Sequence, residues 1–222
     1  MYRVPCPLGT MEAMASHPLM VGFDLDMTLI DSRPGIKACY LALSAETGAV
    51  IDTDLVVSRL GPPLEDELAN WFPAAQVPAM VGRYREIYPT YAIASSPAMP
   101  GARESVGAIR ALGGRTMVVT AKYEPSAKLH LSHVGIEPDV LTGGLWAEAK
   151  AEALREHRAA VYVGDHTGDV RGARAAGALS VGVTTGPCDA DELRSAGADV
   201  VLSSLTEFPA WLTAYAANGY AA

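Results

Sequence analysis

The chain has 222 residues, half of them hydrophobic and 19% charged, with a formal net charge of −8; this composition folds around an apolar core and excludes a disordered chain. The acidic balance and the scattered lysines and arginines repel polyphosphate backbones, so no nucleic-acid partner is expected. No apolar run approaches the roughly 20 residues that cross a bilayer, so no membrane partner is expected either.

Met1 to Pro18 carries Pro, Gly and His where a signal peptide needs a continuous apolar centre. Residues 1–17 therefore read as a loose lead. Cys6, Cys39 and Cys188 share no CxxC spacing with one another or with histidines, which suits a reducing cytoplasm and excludes a disulfide framework or zinc site.

Leu19 to Phe23 is the first predicted strand, and Asp24 and Asp26 stand at its end at one-residue spacing. Side chains alternate faces along a strand, so both carboxylates project to one side. Like charges that close call for a cation, a shared proton or a reacting substrate. Asp31, ahead of Ser32 and Pro34, reads instead as an ordinary turn former.

Ile36 to Thr47, Leu64 to Trp71 and Val77 to Tyr88 follow as helices, punctuated by Gly48, Gly61-Pro62-Pro63 and Phe72-Pro73. From residue 100 onward the pattern changes. Strands at Thr116–Thr120, Ala160–Asp165, Leu179–Thr185 and Asp199–Ser203 alternate with helices at Gly101–Leu112, Pro125–Val134, Ala147–His157, Asp169–Ala176 and Asp189–Ala196. Asp139–Thr142 adds a weak edge strand, and Leu205–Ala217 a closing helix.

This alternation predicts an α/β fold: a Rossmann-like parallel sheet with helices on both faces, plus a small helical cap inserted after the first strand. The expected division is an α/β core of residues 18–33 and 98–222, with the cap at 34–97. In open parallel sheets the ligand crevice lies outside the carboxyl ends of the strands, so an insertion leaving from that end would roof it.

Four pieces end or follow strands in a fixed order: Asp24-Leu25-Asp26-Met27-Thr28; Val118-Val119-Thr120; Lys150; and Val163-Gly164-Asp165-His166-Thr167-Gly168-Asp169. Together they resemble the four motifs of the haloacid dehalogenase superfamily, most of whose members are magnesium-dependent phosphatases. The opening Asp24 to Ser32 is close to that of phosphoglycolate-phosphatase-like members, and the insertion resembles their small helical C1-type cap.

The resemblance implies a role for each residue. Magnesium is held by the Asp24 carboxylate, the Asp26 backbone carbonyl and Asp165, with Asp169 completing or orienting the outer shell; oxygen ligands suit a hard cation. Asp24 attacks phosphorus and becomes an aspartyl phosphate. Asp26 protonates the leaving oxygen and then draws a proton from water. Thr120 offers its hydroxyl to the phosphoryl oxygens, and Lys150 a cation that also steadies Asp24. Arg59, ahead of Leu60-Gly61-Pro62-Pro63, stands where the family keeps a specificity segment; Arg83 and Arg85 are further cap candidates.

Lys122 and Lys128 rival Lys150. Lys150 is favoured because it precedes the Asp165 strand as the family's lysine does, although Ala151 replaces the usual following proline. Met27 stands where the family commonly has glycine, narrowing the space beside the backbone. His166 is either a surface imidazole or a group that touches bound product, and the remaining histidines read as helix or surface residues.

The expected activity is hydrolysis of a small phosphomonoester, phosphoglycolate-like or a sugar phosphate, with a small phosphorylated metabolite as partner. A phosphosugar mutase of the same superfamily would reuse the aspartyl phosphate but must shield it from water, and a silent binding or regulatory protein would have lost motif residues. A true dehalogenase would not need the acid at Asp26.

Overall fold

The computed structural model describes residues 18–217; the lead at 1–17, with Cys6 and His17, lies outside them. Strands β1 (Met20–Phe23), β2 (Arg115–Val119), β3 (Val140–Thr142), β4 (Val161–Gly164), β5 (Leu179–Val183) and β6 (Val200–Leu202) form one sheet. Its order is β3-β2-β1-β4-β5-β6, parallel throughout. The expected α/β class is thus observed. The sheet reverses its order beside β1, where ligand crevices open.

β1 is buried along its whole length, as a strand covered on both faces must be. Val21 and Phe23 pack with Val106 and Ile109 of α5 (Ala102–Ala111), Leu131 of α6 (Glu124–His133) and Phe208 of α10 (Phe208–Ala217). Met20 points the other way, toward Leu154 of α7 (Lys150–Glu156) and Ala173 of α8 (Thr167–Ala176). Gly22 shares that second face, and a Cβ there would come 2.8 Å from the Tyr162 ring. The missing side chain makes room for a tyrosine that the site uses.

Helices α1 (Arg33–Thr47), α2 (Thr53–Ser58), α3 (Leu64–Leu68) and α4 (Val77–Tyr91) lie between β1 and α5 and share an apolar cluster of their own. The chain leaves and re-enters through neighbouring segments: Ile30 bridges Ala98, and the Asp31 N–H donates to the Pro97 carbonyl at 2.9 Å. Asp31 accepts from the Arg33 N–H and ion-pairs its guanidinium, in keeping with a turn residue. The remaining helix, α9 (Ala190–Ser195), opens on Asp189, whose carboxylate accepts from two N–H groups of the first turn.

Among the differences from the sequence expectation, α3 ends at Leu68 and not at Trp71, and two others have a clear physical cause. α4 continues through Pro89 to Tyr91 instead of stopping at Tyr88. An internal proline costs a helix about 3 kcal/mol, and burial of Val81, Tyr84, Ile87 and Tyr88 on one face outweighs it. α2 was not expected at all; it is six residues long and is held by Asp52, which accepts from the Asp54 and Leu55 N–H groups at 3.0 Å.

Candidate active site

The sheet register sets the site. Phe23 lies opposite both Val118 of β2 and Val163 of β4, so the residues just beyond these strands emerge side by side. Asp24, Thr120 and Asp165 accordingly line one cleft at the carboxyl edge of the sheet, together with Asp26. Helices α1–α4 supply the opposite wall through Tyr40, Arg59 and Tyr84 among others, and the cleft encloses about 990 Å³ open to solvent.

Asp24, Asp165 and Asp169 each turn a carboxylate oxygen to within 4.8 Å of the other two. The chain makes room for them: a Cβ on Gly164 would collide with the Asp169 carboxyl, and one on Gly186 with that of Asp165. Lys150 answers part of the charge. Its ammonium lies 2.8 Å from Asp24 and 2.6 Å from Asp169, and donates at 2.9 Å to the Tyr162 hydroxyl, which in turn donates to the Val119 carbonyl. Only 1% of Lys150 is exposed. Thr28 donates its hydroxyl to Asp165 at 2.8 Å.

Burial pushes the Asp24 carboxyl up to about 7, with Lys150 opposing and Asp169 and Asp26 adding to the rise. Asp165 is raised for the same reason, burial first and then Asp169 and Asp24. Burial alone would discharge Lys150, but Asp169 and Asp24 outweigh it and hold the ammonium charged. With all three acids ionised, the state a bound cation would favour, one ammonium leaves two negative charges. Buried, oxygen-only donors with that residual charge fit a hard divalent cation.

Asp26, in the same cleft, has a counterion of its own. Burial pushes its carboxyl up, but the Lys122 ammonium 2.9 Å away more than compensates and keeps it below the usual carboxylate range. Lys122 also donates to the Tyr88 hydroxyl at 2.7 Å, and that hydroxyl meets His130 Nε2 at 2.9 Å. Lys122 and Lys150 are therefore not alternatives for one position: Lys122 serves Asp26, and Lys150 serves Asp24 and Asp169. Lys128 is exposed.

Asp169 combines two tasks: it accepts from Lys150 and, through Oδ2, from the His166 N–H at the start of α8. His166 lines the cleft beside Trp146. Its Nδ1 accepts from the Gly168 N–H at 2.9 Å, which leaves the proton of the neutral ring on Nε2. Arg59 reaches the cleft but is held by Glu67 at 2.6 and 3.2 Å. Arg83 pairs with Glu46 and Glu86, and Arg85 with Glu65.

Met27 is buried and is not among the residues lining the cleft. Its backbone is left-handed, with φ +59°, which explains why glycine suits this position. Met27 N–H donates to the Ile30 carbonyl, and Thr185 donates to the Met27 carbonyl at 2.6 Å.

Sequence reasoning passed over Tyr88, His130 and Trp146 as parts of this site. Only Lys122 carried a signal, its place two residues beyond Thr120 at a strand end.

Comparison with known proteins agrees with the geometry. A family model described as haloacid dehalogenase-like hydrolase matches residues 21–183. The chain is 32% identical over 203 residues to the tyrosine-protein kinase PtkA of Mycobacterium tuberculosis, covering 85% of this chain and 70% of that one. It is 28% identical over 210 residues to the phosphoglycolate phosphatase of Caulobacter vibrioides, covering 85% and 88%. A haloacid dehalogenase-like family hydrolase from Streptococcus pneumoniae superposes with a TM-score of 0.76 at 24% identity, covering 89% of this chain and 98% of that one.

Proposed function

The chain belongs to the haloacid dehalogenase-like hydrolases, and from that premise we propose that it is a magnesium-dependent phosphatase of a small phosphomonoester, acting through an aspartyl phosphate on Asp24. The convergence of Asp24, Asp165 and Asp169 around Lys150 at the carboxyl edge of the sheet carries this reading. The named phosphatases among its relatives support it.

Asp24, Asp165 and Asp169, with the Asp26 carbonyl added by family resemblance, would hold magnesium, whose positive charge would then lie beside the phosphoryl oxygens. The chain's own groups do the rest. An oxygen of Asp24 attacks phosphorus as the ester oxygen leaves, and Thr120 offers its hydroxyl to the phosphoryl oxygens. Asp26 gives the leaving oxygen its proton and later takes one from the water that hydrolyses the acyl phosphate. Lys122 keeps Asp26 ionised at rest, the state suited to the second task. An approaching phosphate dianion raises the proton affinity of Asp26 for the first. Lys150 holds the Asp24 carboxylate in line and limits the repulsion among the three acids.

Helices α1–α4 (the insertion at residues 34–97) act in this reading as the cap that closes over the substrate, with residues 18–33 and 98–222 as the core. Among the described residues no helix is long and apolar enough to cross a membrane, and a cytoplasmic phosphorylated metabolite is the proposed substrate. Similarity to a protein named as a tyrosine-protein kinase favours a second reading, in which the phosphoryl group passes from Asp24 to a tyrosine hydroxyl.

Phosphate release separates the two. Purified protein with Mg²⁺ is expected to liberate inorganic phosphate catalytically from phosphomonoesters and to stop when a chelator is added. Transfer to an added tyrosyl peptide, with no net phosphate released, would instead select the second reading.

A further inference from the structure

The cleft wall opposite the acidic cluster is built of rings. Tyr40, Tyr84 and Tyr88 follow one another with centroids 5.0 and 5.4 Å apart, and Tyr123 and Trp146 stand at the rim. Ile36, Val56 and Leu60 fill the spaces among them.

The cations of this wall are already committed. Among the described residues, Arg59, Arg85 and Lys122 line the cleft, and each has a carboxylate partner. Arg59 lies in a two-bond pair with Glu67, whose position is fixed further by the Trp71 indole N–H at 2.8 Å. Arg85 pairs with Glu65 at 2.9 Å through one guanidinium nitrogen and covers the Tyr123 ring, while its buried Nε has no hydrogen-bond partner. Lys122 is held by Asp26. A leaving group carrying its own carboxylate or a second phosphate would lose water here and find each of these cations already paired with a carboxylate. A flat apolar ring would meet a lining of aromatic and apolar side chains.

Resting on the phosphatase reading above, we infer that the substrate is a phosphomonoester whose leaving group is an uncharged, ring-bearing alcohol or phenol. The tyrosine wall selects it, and Glu67 and Glu65 silence Arg59 and Arg85. In the reaction the ester P–O bond breaks and the ring-bearing hydroxyl compound leaves with a proton. The oxygen of water ends on inorganic phosphate.

The test compares kcat/KM, with Mg²⁺ and the full chain, for benzyl phosphate, ethyl phosphate and 2-phosphoglycolate. Benzyl and ethyl phosphate are both alkyl esters, so the ring is the difference between them. Benzyl phosphate is expected to exceed each of the others by at least about tenfold. Tyr123→Leu, at a half-exposed position, should lower the benzyl-to-ethyl ratio by about two- to tenfold. Glu67→Gln releases Arg59 and should shift the benzyl-to-phosphoglycolate ratio at least about tenfold toward phosphoglycolate. Equal or better turnover of ethyl phosphate or phosphoglycolate by the unaltered protein overturns the inference and leaves the phosphatase reading standing. Release of phosphate from none of the three overturns both.

Discussion

Lys150 Nζ lies 2.8 Å from Asp24 Oδ1, in a position almost closed to solvent. The same ammonium meets Asp169, so it is the internal counterion of an acidic cluster that would otherwise be three carboxylates in low dielectric. Lys150→Met removes that cation without removing bulk. Breaking a buried pair from one side costs about 3–5 kcal/mol, so the urea midpoint should fall by a corresponding amount in chelator. Magnesium should then raise the midpoint more in the variant than in the parent, because the cluster has gained a negative charge. An unchanged midpoint in chelator would show that Lys150 does not balance these acids.

Thr28 orients Asp165 through a fully buried hydrogen bond. Thr28→Val keeps the shape and removes the donor, leaving a carboxylate oxygen short of a partner at a cost of about 1–3 kcal/mol. Groups that orient a metal ligand matter to the metal as well, and magnesium affinity by calorimetry should weaken about 10- to 100-fold. Affinity equal to that of the parent would mean that Asp165 needs no such support.

Met27 holds a left-handed backbone at φ +59° with its side chain buried. Met27→Gly relieves about 1–2 kcal/mol of backbone strain but loses buried side-chain packing worth about 2–5 kcal/mol. Glycine also adds unfolded-state entropy. The variant should therefore be less stable by about 2 kcal/mol in urea unfolding, despite the better local fit. A more stable variant would mean that strain, and not packing, governs this position.

Burial pushes the His130 imidazole down to about 4, with Lys122 adding to the drop. A histidine kept neutral in the fold but free to take a proton when unfolded makes the unfolded chain bind more protons between the two pKa values. Its contribution is complete above about pH 6.5 and is lost as the pH falls toward about 4. The total is at most about 3 kcal/mol. Urea midpoints measured from pH 7 to 4.5 should fall more steeply for the parent than for His130→Phe. Parallel profiles would mean that His130 titrates alike in both states.

The sheet was legible from Val-rich runs alternating with helical spacing, and the strand-end positions of Asp24, Thr120 and Asp165 followed from it. Those residues lie next to strands, where period-two alternation and the parallel register fix their direction. Helix ends were less legible. Pro89 is a stop signal locally, and only the buried face of α4, from Val81 to Tyr88, shows why the helix continues. The place of Lys150 ahead of the Asp165 strand favoured it over Lys122, but chain order does not show that both lysines pair with acids of the site: Lys122 meets Asp26, and Lys150 meets Asp24 and Asp169. The Tyr88–His130 contact joins residues 42 apart, and neither neighbourhood carries a pattern that announces the other.

The phosphatase reading requires Asp24 to be the nucleophile that attacks phosphorus. The most direct measurement is mass spectrometry of protein quenched in acid during turnover of benzyl phosphate with Mg²⁺, alongside phosphate release by Asp24→Asn checked for an unchanged circular dichroism spectrum. A phosphoryl adduct on the peptide containing Asp24, with no adduct and no phosphate release in the folded variant, is the predicted result. Phosphate release by Asp24→Asn at the parent's rate would contradict it.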